Sequence, residues 1–279
     1  MSAASEKPVT PRDVLPGAGR RYVYVVRSRR SGGLSVGINL DPRKSCNFDC
    51  VYCEVVDRRT AGLGAGRPPI PVSDVADEAA EVLHALAAGP EPPRDVAFAG
   101  EGESSTFAGF LPLARLVFDA RDAAGFSAIP VVLVTNGSGL LRPEMLEAHD
   151  LFAARGGVFW VKLDAGTEGS YRAVCRTEVP FARTLANLLA SARRHPVVVQ
   201  AMFFRSDALG APADGEVSAW AGRLAEVVRE GGRLAAVQVY TVARETIEPG
   251  IHPLPAEALE GIARVARGAL PGVRVDTFP

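Results

Sequence analysis

The amino-acid sequence predicts an α/β domain built on a parallel β-sheet, and three observations lead to this fold class. Short Val-rich runs recur along the 279 residues and alternate with Ala/Leu-rich runs that have helical spacing. The apolar runs are continuous, which is typical of strands buried on both faces. No repeat or long linker divides the chain, so we expect one domain over residues 20–279. Residues 1–19 are rich in Pro, Gly, Ser and charge and predict a flexible arm.

Each element follows from a local signal, taken in chain order. β-Branched and aromatic residues favour strands, and they predict strands at residues 22–27, 35–41, 94–100, 129–137, 156–166, 196–204 and 234–243, with a last short run at 273–278. Amphipathic runs predict helices at residues 73–89, 109–125, 142–154, 181–194, 214–232 and 254–270. Ser73 and Gly89 are suitable caps for the first helix, and Pro112 falls in the first turn of the second, where proline is tolerated.

These elements make about six βα units, which are too few for the usual eight-stranded closed barrel. They fit either a doubly wound open sheet or a partly open barrel. In both arrangements ligands bind at the carboxyl ends of the strands. The unusual sequences AGEGESST (99–106), TNGS (135–138) and LDAGTE (163–168) each follow a predicted strand. We therefore expect the functional site at that rim.

Three of the four cysteines lie within eight positions, in the stretch CNFDCVYC. A structural zinc site normally takes four ligands, and no second ligand pair lies downstream. A redox pair of Cys50 and Cys53 would leave Cys46 without a role, and buried structural thiols fit poorly with a polar loop. An iron–sulfur cluster with three thiolates leaves one iron open to an exchangeable ligand. Cys175 stands alone on a predicted helix.

The charge balance limits the partners, since 31 basic and 32 acidic residues give a net charge of −1. Proteins that hold nucleic acid usually display a broad basic surface, so a nucleic-acid substrate is disfavoured. No run approaches the roughly 18 uninterrupted apolar residues of a membrane span, and the polar N-terminus predicts no signal peptide. We expect a cytoplasmic protein, in which clustered cysteines serve as metal ligands or catalytic groups more often than disulfides.

The CxxxCxxC spacing, with an aromatic residue (Tyr52) before the last cysteine, resembles the signature of radical S-adenosylmethionine (AdoMet) enzymes. AGEGESST resembles the turn that contacts the AdoMet amino group in that superfamily. The resemblance implies a partial (βα)6 TIM-like barrel, with a 4Fe-4S cluster and AdoMet at the C-terminal ends of the strands. It implies that Cys46, Cys50 and Cys53 ligate the cluster. Reductive cleavage of AdoMet to a 5′-deoxyadenosyl radical would follow, with an external electron donor of flavodoxin or ferredoxin type.

The stretches RSRRSGGLSVGINLDPRKSCNFDCVYCEV, FAGEGESST and VKLDAGTEGSYRAV resemble the wyosine-synthase-like branch, which includes tRNA imidazoguanosine synthases. Those synthases carry three further cysteines ahead of the motif, whereas residues 1–45 contain none. Ser104 also stands where relatives often have Pro. We expect a short, single-cluster member that abstracts hydrogen from a small anionic molecule or a peptide. The alternatives are a tRNA-modifying enzyme of wyosine type and a non-catalytic iron–sulfur electron carrier.

The resemblance also assigns cofactor-binding residues at the predicted rim. Gly100 and Gly102 would let the backbone approach AdoMet, and Glu103 would bind its ammonium group, with Glu101 as the rival. The remaining candidates would contact the ribose, the carboxylate or the adenine, unless Lys162 and Asp164 only form a structural ion pair. Tyr52 lies in the cysteine loop, and the others lie on later strands or at their ends: Thr135, Asn136, Lys162, Asp164, Gln200 and Tyr240.

The basic residues Arg20, Arg21, Arg27, Arg29 and Arg30 cluster in the first predicted strand region. Arginine clusters hold phosphate or carboxylate groups, so Arg27, Arg29 and Arg30 are candidates for the substrate anion. The alternative is a solvated face of an edge strand.

Overall fold

A computed structural model describes residues 21–41, 46–55 and 70–279 of the chain. The predicted arm over residues 1–19, Arg20 and most of the Gly/Pro-rich connection at 61–71 lie outside the described residues. The strands are β1 (Val23–Ser28), β2 (Gly33–Ile38), β3 (Asp95–Phe98), β4 (Val131–Thr135), β5 (Val158–Lys162), β6 (Val197–Met202), β7 (Phe204–Ser206), β8 (Leu234–Tyr240), β9 (Ile251–Pro253) and β10 (Val275–Phe278). The helices are α1 (Val72–Ala87), α2 (Phe110–Ala123), α3 (Pro143–Ala154), α4 (Glu168–Cys175), α5 (Phe181–Arg194), α6 (Asp214–Arg229) and α7 (Ala256–Ala269).

The main sheet has eight strands in the order β1-β2-β3-β4-β5-β6-β8-β10. All neighbours from β2 to β10 are parallel, and only β1 is antiparallel to its neighbour β2. The chain therefore contains six βα units, from β2 with α1 to β8 with α7, followed by β10. The α/β class and the partial barrel expected from the sequence are confirmed.

Alternating residues along the strands separate an outer face from a lumen. The outer face packs against the helices through aromatic residues such as Phe98, Phe110 and Phe152. The lumen contains a separate apolar layer that includes Ala97, Val132, Trp160, Val198 and Ala236. The helices thus bury one side of the sheet, while the lumen and its upper rim are left for other contacts.

Several boundaries differ from the sequence prediction for physical reasons. Helix α1 starts at Val72, and its N-cap is Pro71, whose extended backbone leads into the helix without a side-chain cap. The assignment of Ser73 as the N-cap was therefore wrong, since Ser73 lies within the first turn and bonds Asp74. The small antiparallel pair of β7 and β9 was not predicted, because both strands have only three residues.

The β1–β2 hairpin reaches the opposite edge of the sheet through Arg29. Its guanidinium donates to the carbonyl oxygen of Thr241 at 3.2 Å and to that of Pro279. These contacts link the hairpin to the ends of β8 and β10, which lie at the far side of the partial barrel. Within the described ranges, no helix has both the length and the apolar character needed to cross a membrane.

Candidate functional site

A cavity of about 200 Å³ opens at the carboxyl ends of the parallel strands. It lies between the cysteine loop (residues 46–55), the turn after β3, the ends of β4 and β5, and helices α4 and α5. Most of the residues predicted for the cluster and AdoMet line it, namely Cys46, Cys50, Tyr52, Gly100, Gly102, Glu103, Thr135, Asn136, Lys162 and Asp164. Cys53, Glu101, Gln200 and Tyr240 are not among the lining residues.

The cysteine loop is fixed on one side by the end of α4. The backbone amides of Asp49 and Val51 donate to the carbonyl oxygens of Cys175 and Val174 at 3.1 and 3.0 Å. Thr167 precedes helix α4 as its N-cap, and its hydroxyl accepts from the amide of Ser170. The loop is therefore attached to a short helix that follows β5 directly.

Glu54 fixes the other end of the loop to the segment that follows β8. One carboxylate oxygen accepts from the amides of Ala243 and Arg244, and the other accepts from Nε and Nη2 of Arg244 at 2.9 and 2.6 Å. The amide of Ile247 also donates to the carbonyl oxygen of Cys53 at 2.7 Å. Burial would raise the pKa of Glu54, but Arg244 outweighs it, and the pKa of this carboxyl is lowered.

The three loop thiols have different surroundings. Cys46 accepts from the amide of Phe48 at 3.5 Å and from Nδ2 of Asn136 at 3.9 Å. The neighbouring thiol of Cys175 lowers the pKa of Cys50, and the pKa of Cys175 is raised in turn. Burial raises the pKa of Cys53. Among the described residues, no three His, Cys, Asp or Glu side chains are grouped to hold a single metal ion.

Glu103 is a buried carboxylate of the cavity, with 7% of its surface exposed. One of its oxygens accepts from the amide of Ser105 at 3.0 Å and from the hydroxyl of Thr135 at 2.5 Å. The other accepts from the amide of Asn136 at 2.7 Å. Burial raises the pKa of Glu103, and these hydrogen bonds oppose the rise only in part. All of its described partners are neutral, so its negative charge has no counter-charge in the described chain.

Asn136 connects this carboxylate to the cysteine loop. Its backbone amide donates to Glu103, while its side-chain Nδ2 donates to the side-chain Oδ1 of Asn47 at 2.9 Å. The hydroxyl of Thr135 accepts from the amide of Gly137, which stabilises the turn after β4. The TNGS sequence therefore holds both the loop and Glu103 in place.

Gly100 and Gly102 are required by close packing against β2. A Cβ atom at Gly100 would lie 2.5 Å from Oδ1 of Asn39, and one at Gly102 would lie 2.6 Å from Cβ of Asp41. Asn39 also accepts from the amide of Glu101 and donates to its carboxylate at 2.9 Å. Glu101 is thus turned toward β2 and away from the cavity. Asn39 was missed by sequence analysis, although it lies near the carboxyl end of the predicted strand at 35–41 and directly follows β2.

Lys162 and Asp164 form an ion pair at the end of β5, with Nζ 2.8 Å from Oδ1 and only 13% and 4% of the side chains exposed. The hydroxyl of Tyr52 donates to Oδ2 of Asp164, and the amide of Met202 donates to Oδ1. Lys162 also donates to the hydroxyl of Tyr240. Burial would lower the pKa of Lys162, but Asp164 and Tyr240 outweigh it, and the pKa is raised.

Gln200 lies in the lumen and is fully buried. Its Nε2 donates to Oε1 of Gln238 at 2.7 Å, and its Oε1 accepts from Arg30 at 3.2 Å. The other two candidate arginines point elsewhere, because Arg27 pairs with Glu91 on the surface and Arg29 binds backbone carbonyls. The structure does not bring the three arginines together.

Cys175 is a cavity residue that sequence analysis missed. It is buried, lines the cavity beside Tyr171 and Thr184, and contacts Cys50. The hydroxyls of Tyr171 and Thr184 lie 2.9 Å apart and form a hydrogen bond. No spacing pattern connects Cys175 to the cysteine loop, so only the fold brings the two together.

Solved structures with this fold include several radical AdoMet enzymes. A radical SAM methyltransferase from Sphaerobacter thermophilus has a TM-score of 0.62 at 13% identity, over 92% of this chain and 68% of that chain. SuiB of Streptococcus suis, solved with S-adenosylmethionine bound, has a TM-score of 0.58 at 11% identity, over 85% of this chain and 48% of that one. A spore photoproduct lyase variant has a TM-score of 0.53 at 13% identity, over 93% and 81%. These likenesses show the fold.

No protein-family model matches the chain. Among curated proteins, a GTPase Obg of Brachyspira hyodysenteriae is 26% identical over 172 residues, which make up 61% of this chain and 23% of that protein. This chain thus spans less than a quarter of that relative's length. It contains no Gly-x-x-x-x-Gly-Lys-Ser/Thr sequence, the loop that cradles nucleotide phosphates in P-loop proteins.

Proposed function

We propose that this chain is a radical AdoMet enzyme that binds a 4Fe-4S cluster and AdoMet in the cavity at the rim of the partial barrel. The observation that carries the proposal is the negative charge of Glu103, which lies in the same cavity as Cys46 and Cys50 and has no cationic partner in the described chain. A buried carboxylate without a counter-charge costs free energy, so a cationic ligand group is expected there. AdoMet carries such a group in its ammonium.

The donor set fits the cluster. Thiolates are the ligands of 4Fe-4S cubes, and Cys46, Cys50 and Cys53 lie on one loop that is fixed at both ends. Each thiolate would hold a different iron of the cluster, so the three sulfur atoms would not need to converge on one point. When bound, the reduced cluster would pass one electron to AdoMet, whose C5′–S bond would break to give methionine and a 5′-deoxyadenosyl radical that abstracts hydrogen from a substrate.

The chain's own residues position these groups and exclude water. A carboxylate has about four acceptor sites, and Glu103 uses three of them for its own chain, which leaves one for the ammonium. Tyr52 and Phe48 belong to the cysteine loop, and their side chains are buried. Lys162 and Asp164 neutralise each other, so they contribute hydrogen bonds to the cavity without a net charge.

The rival functions differ from this proposal in what they need. An electron carrier needs no cationic ligand beside Glu103, and a wyosine-type enzyme needs a second cluster and a surface for tRNA. GTP hydrolysis of the P-loop type lacks its phosphate loop here. We therefore propose a single-cluster enzyme whose substrate is a small molecule or a peptide and whose electron comes from an external donor of flavodoxin or ferredoxin type.

The test is anaerobic reconstitution with iron and sulfide, followed by addition of AdoMet and dithionite. The expected products are methionine and 5′-deoxyadenosine, in amounts that depend on the cluster. A protein that carries a reducible cluster yet releases neither product, with or without a cell-extract substrate fraction, would be a carrier. Formation of a tricyclic base from guanosine-37-methylated tRNA and pyruvate would favour the wyosine-type alternative.

A further inference from the structure

Arg30 is the one candidate substrate arginine that the β1–β2 hairpin directs into the barrel lumen. It is half-buried, whereas Arg27 and Arg29 are exposed. Arg27 pairs with Glu91 at 2.7 Å, and Arg29 donates to the carbonyl oxygens of Thr241 and Pro279. Both of those side chains therefore have structural partners outside the lumen.

Aromatic rings and a neutral amide hold the Arg30 guanidinium in position. Its central carbon lies 4.8 Å from the ring centre of Tyr240 and 5.9 Å from that of Trp160. Nη1 donates to Oε1 of Gln200 at 3.2 Å, and Gln238 fixes the orientation of that amide. A guanidinium has five N–H donors, so most of its hydrogen-bonding capacity is unused by these contacts.

No carboxylate forms an ion pair with Arg30 among the described residues. Asp95, the first residue of β3, is close enough for its charge to act on Arg30, but it lies beyond ion-pair distance. One oxygen of Asp95 accepts from the hydroxyl of Ser31, and the other is buried without a hydrogen-bond partner. Arg30 is instead turned toward Tyr240. A partly buried cation that avoids the neighbouring carboxylate costs free energy unless another anion joins it.

The lumen position of Arg30 connects it to the cavity through one aromatic ring. The ring of Tyr240 contacts Arg30 and also Lys162, whose Nζ lies 4.6 Å from the ring centre. Lys162 lines the cavity in which Glu103 and the cysteines lie. An anionic group on Arg30 would therefore lie beside the Tyr240 ring, which also contacts Lys162 of that cavity.

We infer that Arg30 binds an oxyanion group of the substrate, a carboxylate or a phosphate, inside the barrel lumen. This inference rests on the proposed function, because it names the group by which the substrate of that site is held. A guanidinium presents two parallel N–H donors that match the oxygens of a carboxylate or a phosphate. The contacts with Tyr240, Trp160 and Gln200 use only one of the five N–H donors of Arg30 in a hydrogen bond.

Anion binding is measured on the full chain with its cluster, using benzoate and inorganic phosphate separately as probes. Trp160 provides the optical readout, since it lies beside Arg30, and Trp160→Phe identifies its contribution to the fluorescence change. We expect saturable binding of at least one probe, and at least a tenfold loss of affinity in Arg30→Gln. Arg264→Gln removes an equal charge from an exposed position on α7 and should bind as the wild type does. The preferred probe distinguishes a carboxylate from a phosphate substrate.

The opposing interpretation is that Arg30 only balances the charge of Asp95. In that case Asp95→Asn should restore both stability and anion affinity in the Arg30→Gln background. Our inference is overturned by that rescue, by unchanged affinity in Arg30→Gln, or by no saturable binding of either probe. Release of 5′-deoxyadenosine without substrate is measured on the same samples. The same samples are also assayed with the cell-extract substrate fraction. Absence of 5′-deoxyadenosine from the wild type under both conditions overturns the proposed function, whereas its presence together with unaltered anion affinity in Arg30→Gln overturns only the role of Arg30.

Discussion

The two sides of the cavity handle buried charge in opposite ways. On the side of β3 and β4, Glu103 is surrounded by two amides and a hydroxyl, and no cation accompanies it in the described chain. On the side of β5 and β8, Asp164 is paired with Lys162 at 2.8 Å, and two tyrosine hydroxyls complete the network. Both sides are buried, and both end parallel strands of the same sheet.

We interpret this difference as one between a structural network and the binding group that we propose. The Lys162–Asp164 network is complete by itself, so it can stabilise the rim before any ligand arrives. Glu103 is held in position by neutral donors that orient a carboxylate without cancelling its charge. An uncompensated charge in a preformed setting is what a binding site for an ion of opposite sign requires. Arg30 in the lumen is likewise a charged group held by neutral partners, but its charge is positive.

The largest expected effect is the loss of the cluster when a loop cysteine is replaced. Changing Cys46, Cys50 or Cys53 to Ala should each abolish iron binding, because a cube with two protein thiolates is not retained. Cys175→Ala should keep about four irons per chain. Iron and sulfide analysis of anaerobically reconstituted protein measures this. Stoichiometric zinc in a colourless protein, or loss of iron in the Cys175 variant alone, would be incompatible with our ligand assignment.

The next largest effect is expected on the β5 and β8 side of the cavity, where Lys162 and Asp164 form an ion pair. Asp164→Asn should lower the free energy of unfolding by about 3–5 kcal/mol, because it leaves the buried Lys162 without its partner. The double variant Lys162→Met/Asp164→Leu should recover most of this loss, since it removes both charges. Urea unfolding measures each value. Equal destabilisation by the single and double variants would mean that packing, and not charge pairing, dominates at this site.

Glu103 has no charged partner in the described chain, so we expect its contribution to the free energy of unfolding to change with pH. Its pKa is raised by burial, so its contribution to stability is present below the unfolded value near 4.3 and is lost as the pH rises through the folded value. The pKa of Lys162 is also raised, so the contribution of Lys162 to stability is lost only above about pH 10.4. We expect the stability of wild type relative to Glu103→Gln to fall from acid toward neutral pH in urea unfolding. A rise over that range would show that Glu103 is already paired with a cation.

The smallest effect is expected at the outer end of the cysteine loop. Glu54→Gln should cost about 1 kcal/mol of stability, because Arg244 is largely exposed. The lowered pKa of Glu54 means that its contribution is present above about pH 4.3 and is lost as the pH falls through the folded value. Faster alkylation of Cys53 in the full chain should accompany the loss. Glu245→Gln, an exposed change on the same segment, is the control, and equal alkylation rates in both variants would contradict this role for Glu54.

Much of this arrangement could be predicted from sequence because local signals determine it. The six βα units follow from periodicity, and the rim position of Glu103, Thr135 and Lys162 follows from strand ends. The Lys162–Asp164 pair was anticipated as an alternative, since residues two apart on a strand share a face. Sequence analysis could not separate Arg30 from Arg27 and Arg29, because side-chain direction in a hairpin depends on what packs around it. It also could not bring Cys175 to Cys50, which only the docking of α4 on the loop achieves.

The central claim is that Glu103 binds the ammonium group of AdoMet. The most direct measurement compares the dissociation constants of AdoMet and of its deaminated analogue for wild type and Glu103→Gln, each with an intact cluster. We expect the wild type to prefer AdoMet by about 1.5–3 kcal/mol, or roughly ten- to a hundredfold, and the variant to lose that preference. Equal weakening of both ligands by the substitution would contradict the claim, because Glu103 would then shape the cavity without contacting the ammonium. Loss of the preference in Glu101→Gln instead would move the assignment to Glu101.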